Sequence, residues 1–202
     1  MTDAMRLNTR NRPTQKRSAQ TFDLILETAA EILEEVGFDK LNTNLICERA
    51  GLTPPALYRY FPNKYAVLEE LGEQLMSHQN QALLTWLDNA NGGAVSIADI
   101  AQLLRGQLDV TRAQKGGKWI MRSLHSMPQL ADVRLNSHKM MVRKITDRQL
   151  EQNPQADRAQ LLRRNRITIE SGYAILEMLI DNPDMDVDAT LSDTALMISS
   201  LG

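Results

Sequence analysis

Residues 43–64, TNLICERAGLTPPALYRYFPNK, constrain the chain more than any other stretch. Asn42 or Thr43 can cap a short helix through Leu45, Ile46 and Ala50 by accepting one of its orphan N–H groups. Gly51 stops that helix, because glycine takes the left-handed C-cap without a Cβ penalty. Thr53 is placed to cap the next start, and Pro54 and Pro55 stand where a missing N–H costs nothing. Ala56-Leu57-Tyr58-Arg59-Tyr60-Phe61 form a second short helix that ends at Pro62-Asn63. Two short helices joined by a turn containing glycine make a helix-turn-helix. So small a unit needs Leu45, Leu52, Leu57 and Phe61 inside. Tyr58 and Tyr60 are two apart and point to different sides of the helix. Two buried hydroxyls would both need partners, so at least one tyrosine is expected to be exposed.

Ala50-Gly51-Leu52-Thr53, Leu57-Tyr58-Arg59-Tyr60-Phe61 and Lys64 together resemble the DNA-binding signature of the TetR family of transcriptional regulators. Ile25, Ala29-Ala30, Leu33, Gly37-Phe38 and Thr43 fall where that family's first helix and second-helix start lie. The resemblance covers about the first third of the chain. It implies that Tyr58 and Tyr60 contact phosphates and base edges, with Thr53, Pro54 and Pro55 at the tip of the recognition helix. Arg59 can reach a guanine or a phosphate. Lys64 opens the next helix, where N–H groups and the helix dipole favour a phosphate. Thr43 can do the same at the start of its own helix, and Asn44 can reach a base. Pro54-Pro55 departs from the family's commoner small residue and glycine, which bears on base preference and not on the fold.

A chain of 202 residues has room for one large or two small domains. Hydrophobic residues make up 43% and aromatics 4%, a balance that favours helical packing over a β-sandwich. A net charge of −2 argues against a uniformly basic surface but leaves room for a local basic patch. The single cysteine, Cys47, excludes an intrachain disulfide and suits a reducing compartment. Among Leu45, Ile46 and Ala50 it reads as a small buried apolar residue. No stretch approaches the ~20 apolar residues of a membrane span, and no apolar leader opens the sequence. A cytoplasmic protein is expected.

Residues 1–17 carry Arg6, Arg10, Arg12, Lys16 and Arg17 against Asp3. Such an arm is either solubilising or a tracker of DNA phosphates. Residues 14–36 form a long helix on the spacing of Phe22, Ile25, Leu26, Ala29, Ile32, Leu33 and Val36, and Gly37 ends it. Its carboxylates Glu27, Glu31, Glu34 and Glu35 are expected on the solvent side, pointing away from DNA. A helix over 63–88 carries Val67, Leu71, Leu75, His78, Ala82 and Trp86 on one stripe, which places His78 in the core. Gly92-Gly93 breaks the chain. Helices over 96–114, 118–127, 131–153, 154–181 and 187–202 follow, separated by Gly116-Gly117, Pro128, Pro154 and Asn182-Pro183. No segment shows strand alternation. The expected fold is all-α, with an arm and three-helix DNA-binding domain over 1–64 and a helical effector-binding and dimerisation domain over 65–202.

The helix over 155–181 has two apolar faces, Leu162, Ile169, Tyr173, Leu176 and Ile180 on one and Gly172, Ile175 and Leu179 on another. Two apolar faces call for two partners. Leu191, Ala195 and Ile198 lie on the last helix. The resemblance implies that these two helices pair with their copies in a homodimer; the alternative is that both fill a large core. For an effector pocket, Trp86, Met121, His125, Met141 and Tyr173 supply an adaptable apolar lining, and Arg122, His138 and Glu170 supply polarity. His78, His125 and His138 lack metal-ligand spacing, and no phosphate-cradling glycine loop or nucleophile constellation is present. No enzyme, cofactor or metal is therefore expected. The sequence reads as a dimeric repressor that binds a double-stranded DNA operator and is released by a small apolar or amphipathic effector. The alternative is a ligand-independent DNA-binding dimer governed by a protein partner.

Overall fold

The computed structural model describes residues 16–89 and 95–200. The basic arm, apart from Arg17, and the Gly92-Gly93 break lie outside them, as do the side chain of Lys16 and the last two residues. The described residues form helices and no strand: α1 (Lys16–Lys40), α2 (Thr43–Ala50), α3 (Pro54–Tyr58), α4 (Lys64–Asn89), α5 (Ile97–Ala113), α6 (Gly117–Ser126), α7 (Ala131–Gln152), α8 (Arg158–Asp181) and α9 (Val187–Ser199).

Most helix ends follow from local chemistry. Asn42 Oδ1 accepts from Leu45 N at 3.0 Å and caps α2. Gly51 closes α2 at φ 64°, while Leu52 N donates to Cys47 O at 2.9 Å. Asn63 Oδ1 accepts from Tyr65 N and Ala66 N at the start of α4. Ser96 and Asp99 cap α5 reciprocally, each accepting the other's backbone N–H. Thr53 sits at the α3 N-cap with extended backbone but makes no side-chain bond, so the two prolines alone set that start. Helix α8 begins at Arg158, later than Pro154 suggested, because Asp157 accepts from Ala159 N and Gln160 N.

The chain divides into two compact units, residues 1–75 with 113–134, and residues 76–112 with 135–202. The first break falls inside α4 rather than at 64/65, and α6 joins the first unit because it packs on α1. In the first unit Phe22, Ile25, Ile32, Leu33, Leu41, Ile46, Leu57 and Phe61 are buried. Each such burial contributes ~1.5–3 kcal/mol. Phe22 stacks on Phe61 at 4.9 Å between ring centroids.

Helix α6 enters beside α1 through Lys115, which pairs with Glu31 at 2.6 Å and Glu27 at 3.5 Å, and through Gly116 N, which donates to Glu34. Glu35 pairs with Arg49. The acidic side of α1 thus holds α6 and α2 rather than facing only solvent. Gly37 breaks α1 at φ 73°, and Trp119 of α6 lies so close that a Cβ there would meet its ring at 3.0 Å.

The second unit is knit by side-chain bonds. Gln79 donates to Thr111 at 2.8 Å, and Gln107 donates to Gln79 O at 2.9 Å. Asn80 donates to Ser137 at 2.8 Å, and Asn165 donates to Thr146 at 2.9 Å and Gln149 at 2.7 Å. His78 is exposed, against expectation: the buried face of α4 turns onto Leu75, Met76 and Gln79 there. A stripe read at alternating three- and four-residue steps drifts off a face that α4 shifts by one position.

Candidate nucleic-acid interface and cavity

The first candidate site lies on α2 and α3. Asn44, Thr53, Pro54, Pro55, Tyr58 and Arg59 are exposed, and Thr43 is half-buried. The Tyr58 ring is 40% exposed, and its hydroxyl hydrogen-bonds the Thr43 hydroxyl at 3.1 Å. That bond brings the start of α2 and the end of α3 into one polar ridge. Pro54 and Pro55 offer no N–H at the tip of α3, so this end presents apolar ring surface. Cys47 behind the ridge is buried, and burial pushes its thiol pKa up.

Tyr60 is placed differently from expectation. Tyr60 is 5% exposed, set edge-on to Phe22 at 6.1 Å, with the Arg59 guanidinium 5.9 Å from its ring centroid. It is a core residue of the unit, because the helix that turns Tyr58 outward turns Tyr60 onto α1. Lys64 is half-buried; its Nζ donates to Leu41 O at 3.1 Å and lies 4.1 Å from the Phe38 ring centroid. The ammonium thus ties the start of α4 to the segment between α1 and α2.

The second candidate site is a cavity of about 400 Å³ within the second unit. Trp86, His138, Met141 and Tyr173 line it, as the sequence suggested. Glu170 stands behind the wall, 3.3 Å from His138 Nδ1 and 2.7 Å from Arg166 Nε, while His138 meets the Tyr173 ring edge-on at 4.8 Å. Met121, Arg122 and His125 do not reach the cavity. They lie on α6 in the first unit, where Met121 is buried, Arg122 lies over Trp119 and His125 is exposed. Arg164, Asn165, Leu83, Leu103 and Ile145 line the cavity and escaped the sequence reading. Asn165 had a usable signal, a polar residue on the apolar stripe of Leu162 and Ile169.

The residues expected at a dimer seam are mostly interior. Leu179, Leu191, Ala195 and Gly172 are buried within the chain, and Ile169, Gly172 and Ile198 line the cavity. Leu162 and Ile175 are half-buried. The apolar side chains left outside on α8 and α9 are Ile167 at 45%, Leu196 at 58% and Met197 at 47% exposure. Among the described residues no group of three or more His, Cys, Asp or Glu is placed for a metal, and no helix is long and apolar enough to cross a membrane.

Residues 25–71 match the family described as bacterial regulatory proteins, tetR family. It is similar to the tetracycline repressor protein class C of Escherichia coli, at 40% identity over 55 residues, 27% of this chain and 25% of that protein. The chain thus spans about a quarter of that curated relative. In fold it is similar to GusR of Salmonella enterica, at TM-score 0.64 and 20% identity over 95% of this chain and 98% of the other. It is also similar to the repressor FadR of Thermus thermophilus in complex with lauroyl-CoA, at TM-score 0.65 and 18% identity over 88% and 93% of the two chains.

Proposed function

We propose that the chain is a dimeric transcriptional regulator, a repressor whose first unit reads an operator and whose second unit binds a small-molecule effector. The observation that carries the DNA role is the ridge of exposed Asn44, Thr53, Pro54, Pro55, Tyr58 and Arg59, with half-buried Thr43 tied to Tyr58, on and beside the two short helices of a tetR-family domain. Short polar side chains, a guanidinium and a tyrosine suit phosphate and base-edge contact in a major groove. Lys64 spends one ammonium hydrogen on Leu41 O and offers its others to a phosphate. The effector role is supported by the cavity, which an ordinary close-packed core would not contain. This favours the ligand-responsive reading over a dimer governed only by a protein partner. Helix α4 starts at Lys64 behind the ridge and supplies cavity-lining residues such as Met76 and Trp86, so one helix belongs to both sites.

The dimer face in this reading is the outer stripe of Ile167, Ser171, Ala174 and Met178 on α8 with Leu196 and Met197 on α9. A two-fold dimer reads two half-sites one helical turn or a multiple apart. The effector lowers operator affinity by as much as its affinities for the bound and released states differ. Selection of bound sequences from a random duplex pool tests the reading. Enrichment of an inverted repeat is expected. A pool that stays random, or one that enriches a single asymmetric site, would overturn it.

A further inference from the structure

The cavity of the second unit is long and one-sided in charge. Leu161 and Leu176 both line it, and at a rise of about 1.5 Å per residue they stand about 22 Å apart along α8. Met76 and Leu87 line it about 16 Å apart along α4. The helices run lengthwise beside it. Asn80 meets Ser137 and Asp88 meets Arg148, so α4 and α7 run parallel. His138 meets Glu170 and Thr146 meets Asn165, so α7 and α8 run antiparallel. A lining drawn out over that length suits an extended, flexible ligand. Its middle is walled by Leu83, Leu104, Met141 and Ile169.

The charge is uneven. Among the described residues no aspartate or glutamate lines the cavity. His138 is matched by Glu170 behind it. Among the described lining residues Arg164 alone is an arginine or lysine, and it stands half-buried beside Asn165. Among the described residues no carboxylate pairs with it, whereas its neighbours Arg158 and Arg166 are paired with Asp147 and Glu170. A guanidinium held against an apolar wall without a counter-ion suits an incoming carboxylate, which it can take in a two-pronged bond.

Resting on the effector reading above, we propose that the cavity takes a straight-chain amphipathic anion, with its alkyl part along the Leu/Ile/Met wall and its carboxylate on Arg164. A cation would find no counter-charge in the lining, and a neutral chain would forgo the guanidinium. Calorimetric titration of the full chain with octanoate, decanoate, dodecanoate, 1-dodecanol and dodecyltrimethylammonium, each below its micelle concentration, tests this. Dodecanoate should bind at least tenfold more tightly than dodecanol, and the ammonium should not saturate. Each added methylene should tighten carboxylate binding up to about fourfold. Arg164→Met should weaken dodecanoate by at least tenfold and leave dodecanol as it was, and Arg164→Lys should restore part of the loss. Equal affinity for dodecanoate and dodecanol, or an Arg164→Met chain that still binds dodecanoate fully, would overturn the proposal. Release of operator by a compact aromatic compound, with no response to any aliphatic probe, would overturn the ligand class and leave the effector reading standing. Absence of binding by every probe and by a broad metabolite panel would remove both.

Discussion

The Tyr58 hydroxyl bonds Thr43 on an exposed ridge, whereas the Tyr60 ring is packed against Phe22 in the core. The two positions should therefore fail in different assays. Tyr58→Ala should cost on the order of 1–3 kcal/mol of operator affinity, measured by DNA titration, with little change in melting. Tyr60→Ala should cost on the order of 3–5 kcal/mol of folding stability, measured by denaturant unfolding, because it empties a buried aromatic site. Lys64→Ala should reduce the salt slope of operator binding by about one if a phosphate sits on its ammonium. It should also lower the melting temperature, since the Leu41 carbonyl loses its donor. Glu69 offers a pH test. Burial, then the charges of Glu73 and Glu70, hold its carboxyl pKa above the usual value. The folded state therefore binds its proton more tightly than the unfolded state, and ionised Glu69 opposes folding at neutral pH. Glu69→Gln should raise the melting temperature at pH 7, and the gain should vanish as the pH falls below the ordinary carboxylate range.

At the scale of elements, α8 decides how the chain meets its copy. Leu179 is fully buried, so Leu179→Asp should unfold the second unit, as seen by circular dichroism. Ile167→Asp and Leu196→Asp place the charge on side chains already facing outward. Each should give a folded monomer in sedimentation; an unchanged dimer in both would move the interface off these helices. The same helix shows where sequence reading ends. Its caps and length come from local chemistry, and Asp157 and Asn182 could be found by inspection. Which of its apolar faces lies inside depends on α5, α7 and α9 arriving from distant parts of the chain. Periodicity marks faces without ranking them. The likeness of Tyr58 and Tyr60 hid a similar choice, settled only by where α1 lies. The cavity was half legible for the same reason: Trp86, His138, Met141 and Tyr173 were found, whereas α6 had to be seen on α1 before Met121, Arg122 and His125 could be set aside.

For the whole molecule, the first unit is built from two separated stretches of chain. A fragment of residues 1–89 keeps the tetR-family domain yet lacks α6, Trp119 and the Lys115 ion pairs on α1. It should melt well below the full chain and bind operator more weakly, as measured by circular dichroism and DNA titration; equal melting would mean that α6 is dispensable to the module. The arrangement also fixes an order of events at the ribosome. The part of the chain made first is not the part finished first, because residues 113–134 are synthesised only after the whole of α5. At ~5–20 residues per second, the nascent domain waits about 3–12 s between residue 75 and residue 134 for its last wall. During that interval the surface of α1 that will receive Trp119 and Gly116 stays open to water and to chaperones.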